Sequence, residues 1–350
     1  MPDYSYTESG TFSYKGELYR LYITTAPWRD YYNSIKRVII TQGVTSIGDN
    51  AFVGCGALTD VTIPEGVTSI GKRAFWAWHQ SSLTSITIPS SLTNIGADAF
   101  GYCGNLTDVY ITDLEAYCCI NYCGNGSCPF QDSFKTHRLY LDGNLVTDLV
   151  IPSSATYITD YLFNCCTSLR SVTIPDSVTN IGSHAFYGCS SLMSVTIPNS
   201  VTSIGSHAFY NCSMLKNITI PSSVTRIGGC AFYGCNSMTA VYITDVDAWC
   251  NIVFDEYRDL RDNYDKYYAN PIYYAHNLYL DGELVTNLVI PNSVTSISDF
   301  LFYGCSSLMN IEMQEGVSNI GRKAFADCSS LTNIKIPNSV TSIGENAFSG

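Results

Sequence analysis

The chain has 350 residues, with 18 Lys plus Arg against 30 Asp plus Glu, and a formal charge of −12 disfavours a broad basic footprint for nucleic acid or anionic membrane. Apolar residues make up 46% and aromatics 13%, while charged residues reach only 14% against a usual figure of about 25%, so the chain can bury a large core and disorder is excluded for most of it. No run approaches the length of a membrane span, and Met1 to Tyr6 lacks the basic start and apolar stretch of a signal peptide, so the text reads as soluble with any export route invisible.

Residues 1–37 stand apart as an N-terminal cap or flanking segment, in which Thr11–Tyr14 and Glu17–Ile23 are expected to form a hairpin around Lys15-Gly16. From there one unit recurs. Val44-Thr-Ser-Ile-Gly-Asp-Asn-Ala-Phe52 returns at Val67, and 67 − 44 gives a period of 23 residues. Its phenylalanine marks ten copies, at 52, 75, 100, 163, 186, 209, 232, 302, 325 and 348.

Within a copy, Val195-Thr-Ile197 alternates apolar and polar residues of strand-favouring types, Pro198 ends the ladder, and Asn199-Ser200 supplies a turn before the extended Val201–Gly205. A unit of this size cannot enclose a core of its own, so it must stack on the next copy, and a parallel solenoid follows. The fold class is therefore mainly β, a solenoid of about 23-residue coils spanning 38–350. Val195, Ile197, Ile204, Ala208, Phe209 and Leu215 are expected to point inward, as are their counterparts in other coils.

Regular blocks occupy 44–108, 155–240 and 294–350, separated by two enlarged coils at 109–154 and 241–293 that match each other. Thr112-x-x-Glu115 and Thr244-x-x-Asp247 predict capped short helices, and the Asp142-Gly143 and Asp281-Gly282 pairs predict tight hairpin turns. The unmatched middles, 123–136 and 255–271, are expected to be surface loops. At the far end the text stops in mid-unit, which gives the expectation that the natural chain continues or that this uncapped coil makes an end-to-end contact.

The unit written by Ser200-Val-Thr-Ser-Ile-Gly-Ser-His-Ala-Phe-Tyr-Asn-Cys-Ser-Met-Leu-Lys-Asn-Ile-Thr-Ile-Pro221 resembles the BspA-like leucine-rich repeats, and the resemblance runs over about residues 38 to 350. It implies a curved β-solenoid on surface or secreted proteins of bacteria and protists, acting in adhesion or protein binding. Extracellular or cell-surface placement follows from that resemblance alone, and with no leader visible a cytoplasmic one stays open.

Eight of the fifteen cysteines (Cys55, Cys103, Cys166, Cys189, Cys212, Cys235, Cys305 and Cys328) fall three residues after the repeat phenylalanine, where a small inward side chain is wanted, so free thiols packed in the core are expected. Cys118, Cys119, Cys123 and Cys128 lack the paired spacing of structural zinc sites, and a local disulfide competes with metal there. His184, His207 and Cys230 share one column, two residues before the phenylalanine, and the varied residues found there elsewhere point to a solvent-facing site rather than a metal face. His79, His137 and His276 are isolated in sequence.

Gly66-Val-Thr-Ser-Ile-Gly71-Lys72-Arg73 imitates a phosphate loop but has Arg73 where the magnesium hydroxyl belongs, and other copies carry the same frame without the lysine. The acidic run Asp255, Glu256, Asp259, Asp262 and Asp265 lacks calcium-hand geometry and reads as a solvated face. Sequons at Asn105, Asn125, Asn211 and Asn217 are matched by chance in so Ser/Thr-rich a text. No catalytic signature is assembled, so neither enzymatic activity nor a cofactor is expected.

What is left for recognition is the outward side of the strands. Thr59, Asp60, Thr62, Thr87, Thr173, Thr196 and Thr219 make it polar; Tyr110 and Tyr242 add large amphipathic rings; Arg170, Lys216, Glu312 and Lys335 add charge. Threonine also suits a merely solvated sheet. The leading reading is a non-enzymatic scaffold binding a protein or glycan through this face and the loops, with a passive spacer as the alternative and an enzyme last.

Overall fold

The computed structural model describes residues 8–14, 17–23, 31–77, 81–123, 128–130, 136–255 and 269–350. The hairpin expected near the start is present, Glu8–Tyr14 pairing antiparallel with Glu17–Ile23, though the turn Lys15-Gly16 lies outside the described residues. The same holds for His79, Asn125 and most of the acidic run after Asp255. The chain divides into two compact units, Met1–Val146 and Thr147–Gly350.

In each unit the repeat builds a parallel β-solenoid. Every regular coil contributes two short strands, and each pairs in register with its counterpart one coil away. In the first unit Arg37–Ile39 pairs with Asp60–Thr62, and Ser85–Ile88, Asp108–Ile111 and Arg138–Leu141 form a parallel run. In the second, Asp148–Val150, Ser171–Thr173 and Ser194–Thr196 do the same, followed by Asn217–Ile220, Ala240–Ile243 and Leu278–Leu280. The second strands are two-residue pieces such as Asn180–Ile181, Ser203–Ile204 and Arg226–Ile227. Between the two strands the Pro198 carbonyl accepts from the Val201 N–H at 3.1 Å, which closes the turn that the proline begins.

The third side of each coil is a turn, yet it too is laddered: the Phe186 and Phe209 N–H groups each donate to the alanine carbonyl of the following coil at 2.8 Å. This register stacks the phenylalanine rings, at 5.4 and 5.6 Å from Phe52 to Phe100, and at 5.4–5.5 Å from Phe163 to Phe232. Val195, Ile197, Ile204, Ala208, Phe209 and Leu215 are all buried, as their alternation requires.

Glycine after the repeat isoleucine is a packing requirement. A Cβ on Gly205 would stand 2.5 Å from the Ser183 amide of the preceding coil, and one on Gly71 would stand 2.5 Å from the Asp49 amide. The phosphate-loop look-alike is thus a stacking contact; the Lys72 N–H donates to the Asp49 carboxylate at 2.7 Å.

The cysteine column does more than fill space. The Cys189, Cys212 and Cys235 thiols donate to the carbonyls of Phe163, Phe186 and Phe209 in the preceding coil, each at 3.2 Å. A phenylalanine carbonyl accepts from its own coil's cysteine N–H as well, so one buried oxygen is satisfied twice. Burial pushes the Cys235 thiol up to about 12, which holds it as a donor. All fifteen cysteines are free thiols, and those in the dense group divide, Cys118 and Cys128 buried and Cys119 and Cys123 exposed.

Three expectations about local structure need correcting. The helices α1 (Leu114–Cys118) and α2 (Val246–Cys250) are capped by Asp113 and Asp245, not by Thr112 and Thr244. Each aspartate has extended backbone and accepts from the amide three residues on, at 3.0 and 2.9 Å. The two loop segments are not exposed throughout: Phe130 is buried against His137 at 5.1 Å, and buried Asn270 donates to the Phe300 and Leu301 carbonyls just before a helix α3 (Ile272–Ala275), while Cys123 and Thr136 are exposed and most of both segments lies outside the described residues. The column two residues before the phenylalanine is not a plain solvent-facing site. Its ten members, from Asn50 to Asn346, all have left-handed backbone with φ of 53–63°, and His207, Cys230 and Phe300 there are buried.

Candidate functional site

The strands alternate, so one side chain in two leaves the core, and the expected face exists. Thr59, Thr62, Thr87, Thr173, Thr196, Thr219, Arg170, Lys216, Glu312 and Lys335 are exposed, and Asp60, Tyr110 and Tyr242 are half-buried. Their roles differ. The Thr59 hydroxyl donates to the Lys36 carbonyl at 2.9 Å, so it serves the ladder between coils. Asp60 is paired with Arg37 at 2.7 Å, and Glu312 with Lys335 at 2.8 Å, each across two strands in register. These exposed cross-strand pairs hold register and contribute little stability. The hydrogen bond from Lys335 to Glu312 raises its pKa.

Tyr110 and Tyr242 behave differently, because each meets a second tyrosine supplied by the enlarged coil. Register places Tyr140 beside Tyr110 and Tyr279 beside Tyr242, with ring centroids 4.6 and 4.8 Å apart. The hairpin turns then fold one more residue onto the same face. Asp142-Gly143 and Asp281-Gly282 all have positive φ, as a tight two-residue hairpin turn requires, and they set Leu145 opposite Tyr140 and Leu284 opposite Tyr279. Both leucines are 43% exposed, so each unit presents a patch of two tyrosines and a leucine to solvent.

The surroundings of the two patches are not alike. In the first unit Arg138 grips Asp108 through two hydrogen bonds of 2.6 and 2.8 Å beside the rings. Burial, and then the Asp108 carboxylate, push the Tyr110 phenol above its usual range, so it stays protonated. In the second unit Ala240 stands where Asp108 would, and no such pair forms. Elsewhere in that unit, Val150 and Val289 occupy outward positions at 64% and 51% exposure.

Tyr140, Tyr279, Arg138, Leu145 and Leu284 were not among the expected face residues. The signal was present: Leu139-Tyr-Leu141 has the same alternation as Val109-Tyr-Ile111, and only the register shows that the two tyrosines share a side. Among the described residues, no group of three or more His, Cys, Asp or Glu side chains has the geometry to hold a metal ion. Among the same residues, no helix is long and apolar enough to cross a membrane.

The sequence matches the BspA type leucine rich repeat region, in six copies, over residues 30–140, 139–261 and 276–350. The chain belongs to this family. Among solved structures, the BspA-type chain is similar to a leucine-rich repeat protein from Bacteroides ovatus, with 23% identity, a TM-score of 0.57, and coverage of 97% of this chain and 82% of that one. That likeness shows the fold. A leucine rich cell surface protein from Faecalibacterium prausnitzii is 26% identical over 89% of this chain and 81% of its own, with a TM-score of 0.46. The pneumococcal vaccine antigen PcpA is 19% identical over 88% and 74%, with a TM-score of 0.43. No match is found among curated proteins.

Proposed function

We propose that this BspA-type protein is a non-enzymatic binding scaffold, acting at the cell surface or after secretion, and that it engages a protein partner through the outward face of its strands. The observation that carries the reading is the repeated patch, Tyr110–Tyr140–Leu145 in one unit and Tyr242–Tyr279–Leu284 in the other. A sheet that only needed to be solvated would keep threonine at these positions, as the neighbouring Thr87 and Thr219 do. Tyrosine pairs instead offer amphipathic contact area with few rotatable bonds, which is the side-chain type that anchors interfaces. The coils beneath are held by hydrogen bonds on three sides, so docking orders little backbone.

Binding of labelled protein to intact cells and to immobilised matrix proteins tests this. Replacing Tyr110, Tyr140, Tyr242 and Tyr279 together with alanine should lower binding at least tenfold. Undiminished binding would move the site off the sheet face, and absence of binding to any surface would favour a passive spacer. Binding to immobilised glycans that disappears in the same variant would keep the face and change the partner.

A further inference from the structure

The second unit holds a groove that the strand face does not explain. It is a cavity of about 570 Å³, bordered by Tyr273 and Tyr303, by His276 and Asp327, and by Asn236 and Ser329. Its walls come from four successive layers: the regular coil carrying Asn236, the helix α3 of the enlarged coil, and the two regular coils after it.

The repeat explains why a hollow forms here. The position two residues after the phenylalanine always has left-handed backbone in the described coils except at Ala77, and Gly304 and Asp327 are successive members of that column. His276, left-handed at φ 59° as the end of α3, stands next in line. Gly304 has no side chain, so the His276 ring lies over it, and His276 Nδ1 is 3.0 Å from the Gly304 carbonyl. Elsewhere in the unit the equivalent glycines are covered differently: Cys165 Sγ sits over Gly188, and the Asn211 side chain over Gly234. The tyrosine rings complete the wall, Tyr273 stacking on Tyr303 at 5.6 Å and standing edge-on to Tyr274 at 4.9 Å.

This composition selects a class of ligand. A volume of this order is that of a small-molecule site. The border combines phenol rings, which have an apolar body and a polar tip, with a carboxylate, an amide, an imidazole and a hydroxyl. Among the described residues the border carries one carboxylate and neither lysine nor arginine, which argues against a phosphorylated or acidic ligand. A neutral saccharide has the matching make-up, because C–H surfaces that suit aromatic rings alternate with hydroxyls that both donate and accept. We propose that this groove binds a short neutral saccharide, with Tyr273 and Tyr303 against its C–H surfaces and with Asp327, Asn236 and His276 bonding its hydroxyls. The proposal does not depend on the strand face.

Titration calorimetry of the intact chain with maltotriose, mannotriose, lactose and chitotriose tests it. At least one of these should bind, and Asp327→Asn and Tyr303→Ala should each weaken it tenfold or more. Asparagine is at ease in left-handed backbone, as Asn211 is in the same column, so Asp327→Asn separates lost recognition from lost folding. The four-tyrosine variant of the strand face should bind the same sugar unchanged. The proposal is overturned if none of the four sugars binds at millimolar concentration, or if binding survives both groove variants. It is equally overturned if the strand-face variant alone abolishes binding, which would assign the sugar to that face.

Discussion

The coil beginning at Val201 turns its corner on Phe209, packed between Phe186 and Phe232, and shows solvent a short strand with one threonine, Thr219, at its outward site. The enlarged coil that begins at Ala240–Ile243 adds α2, closes its far side with Asn270, Ile272 and Ala275, and shows solvent Tyr242, Tyr279 and Leu284. Regular coils fit one another through repeated columns of buried side chains, such as the stacked phenylalanines, which leaves little freedom for any single inward residue. An enlarged coil has to satisfy the same neighbours with different residues, and its hairpin ends the parallel run, Glu283–Leu284 lying antiparallel to Leu278–Leu280. The strand-face patches and the saccharide groove both lie at these breaks. Regularity supplies rigidity, and its interruptions supply chemistry.

The largest expected effect separates the two kinds of coil. Phe209 is fully buried and stacked on both sides, so Phe209→Ala should lower stability by about 3–5 kcal/mol, read from urea denaturation. Tyr279→Ala on the enlarged coil should cost less than about 1 kcal/mol, because its ring packs on the outward face beside Tyr242 and opposite Leu284 and is half exposed. Equal losses would mean that the tyrosine pair is structural, which would remove the reason for reading it as a binding patch.

Glycine sharpens the same contrast. Gly205→Ala in a regular coil drives a Cβ to 2.5 Å from backbone that cannot give way, and should cost about 3 kcal/mol, the upper end for overpacking. Gly282→Ala in the hairpin meets nothing within 4 Å, and only its φ of +86° opposes it, at a cost of about 1 kcal/mol. Thermal melts of the two variants should therefore differ, with Gly282→Ala keeping the higher midpoint.

The regular coils were legible in the sequence because their constraint repeats: the inward positions of 195–215 and the parallel strands all follow from a unit too small to bury itself. The breaks were legible only in outline. The Asp-Gly turns announced the hairpins, since few residues accept two successive positive φ values. The partners Tyr140 and Tyr279 were hidden because their contact depends on register across an insertion of variable length. The cysteine column looked apolar because a thiol's bond to a carbonyl one coil back leaves no mark on the local pattern. The left-handed column was hidden for another reason. Asparagine and aspartate advertise such a backbone, but tyrosine, histidine, cysteine and phenylalanine do not, and the stack rather than the residue imposes it.

That column gives a pH effect of middle size. Tyr161, His184 and His207 stack at 4.5 and 4.6 Å, with Tyr187 and Tyr210 beside the imidazoles and Cys230 next in line. Burial pushes both histidines down to about 4 from 6.5. Above pH 6.5 neither state binds the protons, so stability is unaffected. As pH falls from 6.5 to 4 the unfolded chain takes up protons that the fold excludes, and stability drops by about 1–2 kcal/mol for each histidine once solvent screening is allowed for. Carboxylates add their own acid loss, so the measurement is a difference. Denaturation midpoints at pH 7 and pH 4.5 should fall further for the natural chain than for His184→Asn/His207→Asn, in which asparagine accepts the backbone as Asn50 does.

The smallest effect tests the helix caps of the enlarged coils. A capping box would place Thr244 at the cap, but Thr244 is exposed where the strand Ala240–Ile243 ends, and Asp245 has the extended backbone, φ −154° and ψ 122°, from which a side chain reaches the first turn. Its carboxylate accepts from the Ala248 N–H at 2.9 Å and lies at the positive end of the helix. Asp245→Ala should cost about 1 kcal/mol and Thr244→Ala a few tenths, by urea midpoint. The difference reaches the enlarged coil's interior through Trp249, fully buried one turn along, so the aspartate variant should also raise hydrogen exchange at Trp249 and Cys250. A larger loss for Thr244→Ala would return the cap to the threonine. A loss of 3 kcal/mol or more for Asp245→Ala would show that this five-residue helix is as integral to the stack as a phenylalanine turn, and that the enlarged coil is no less cooperative than its regular neighbours.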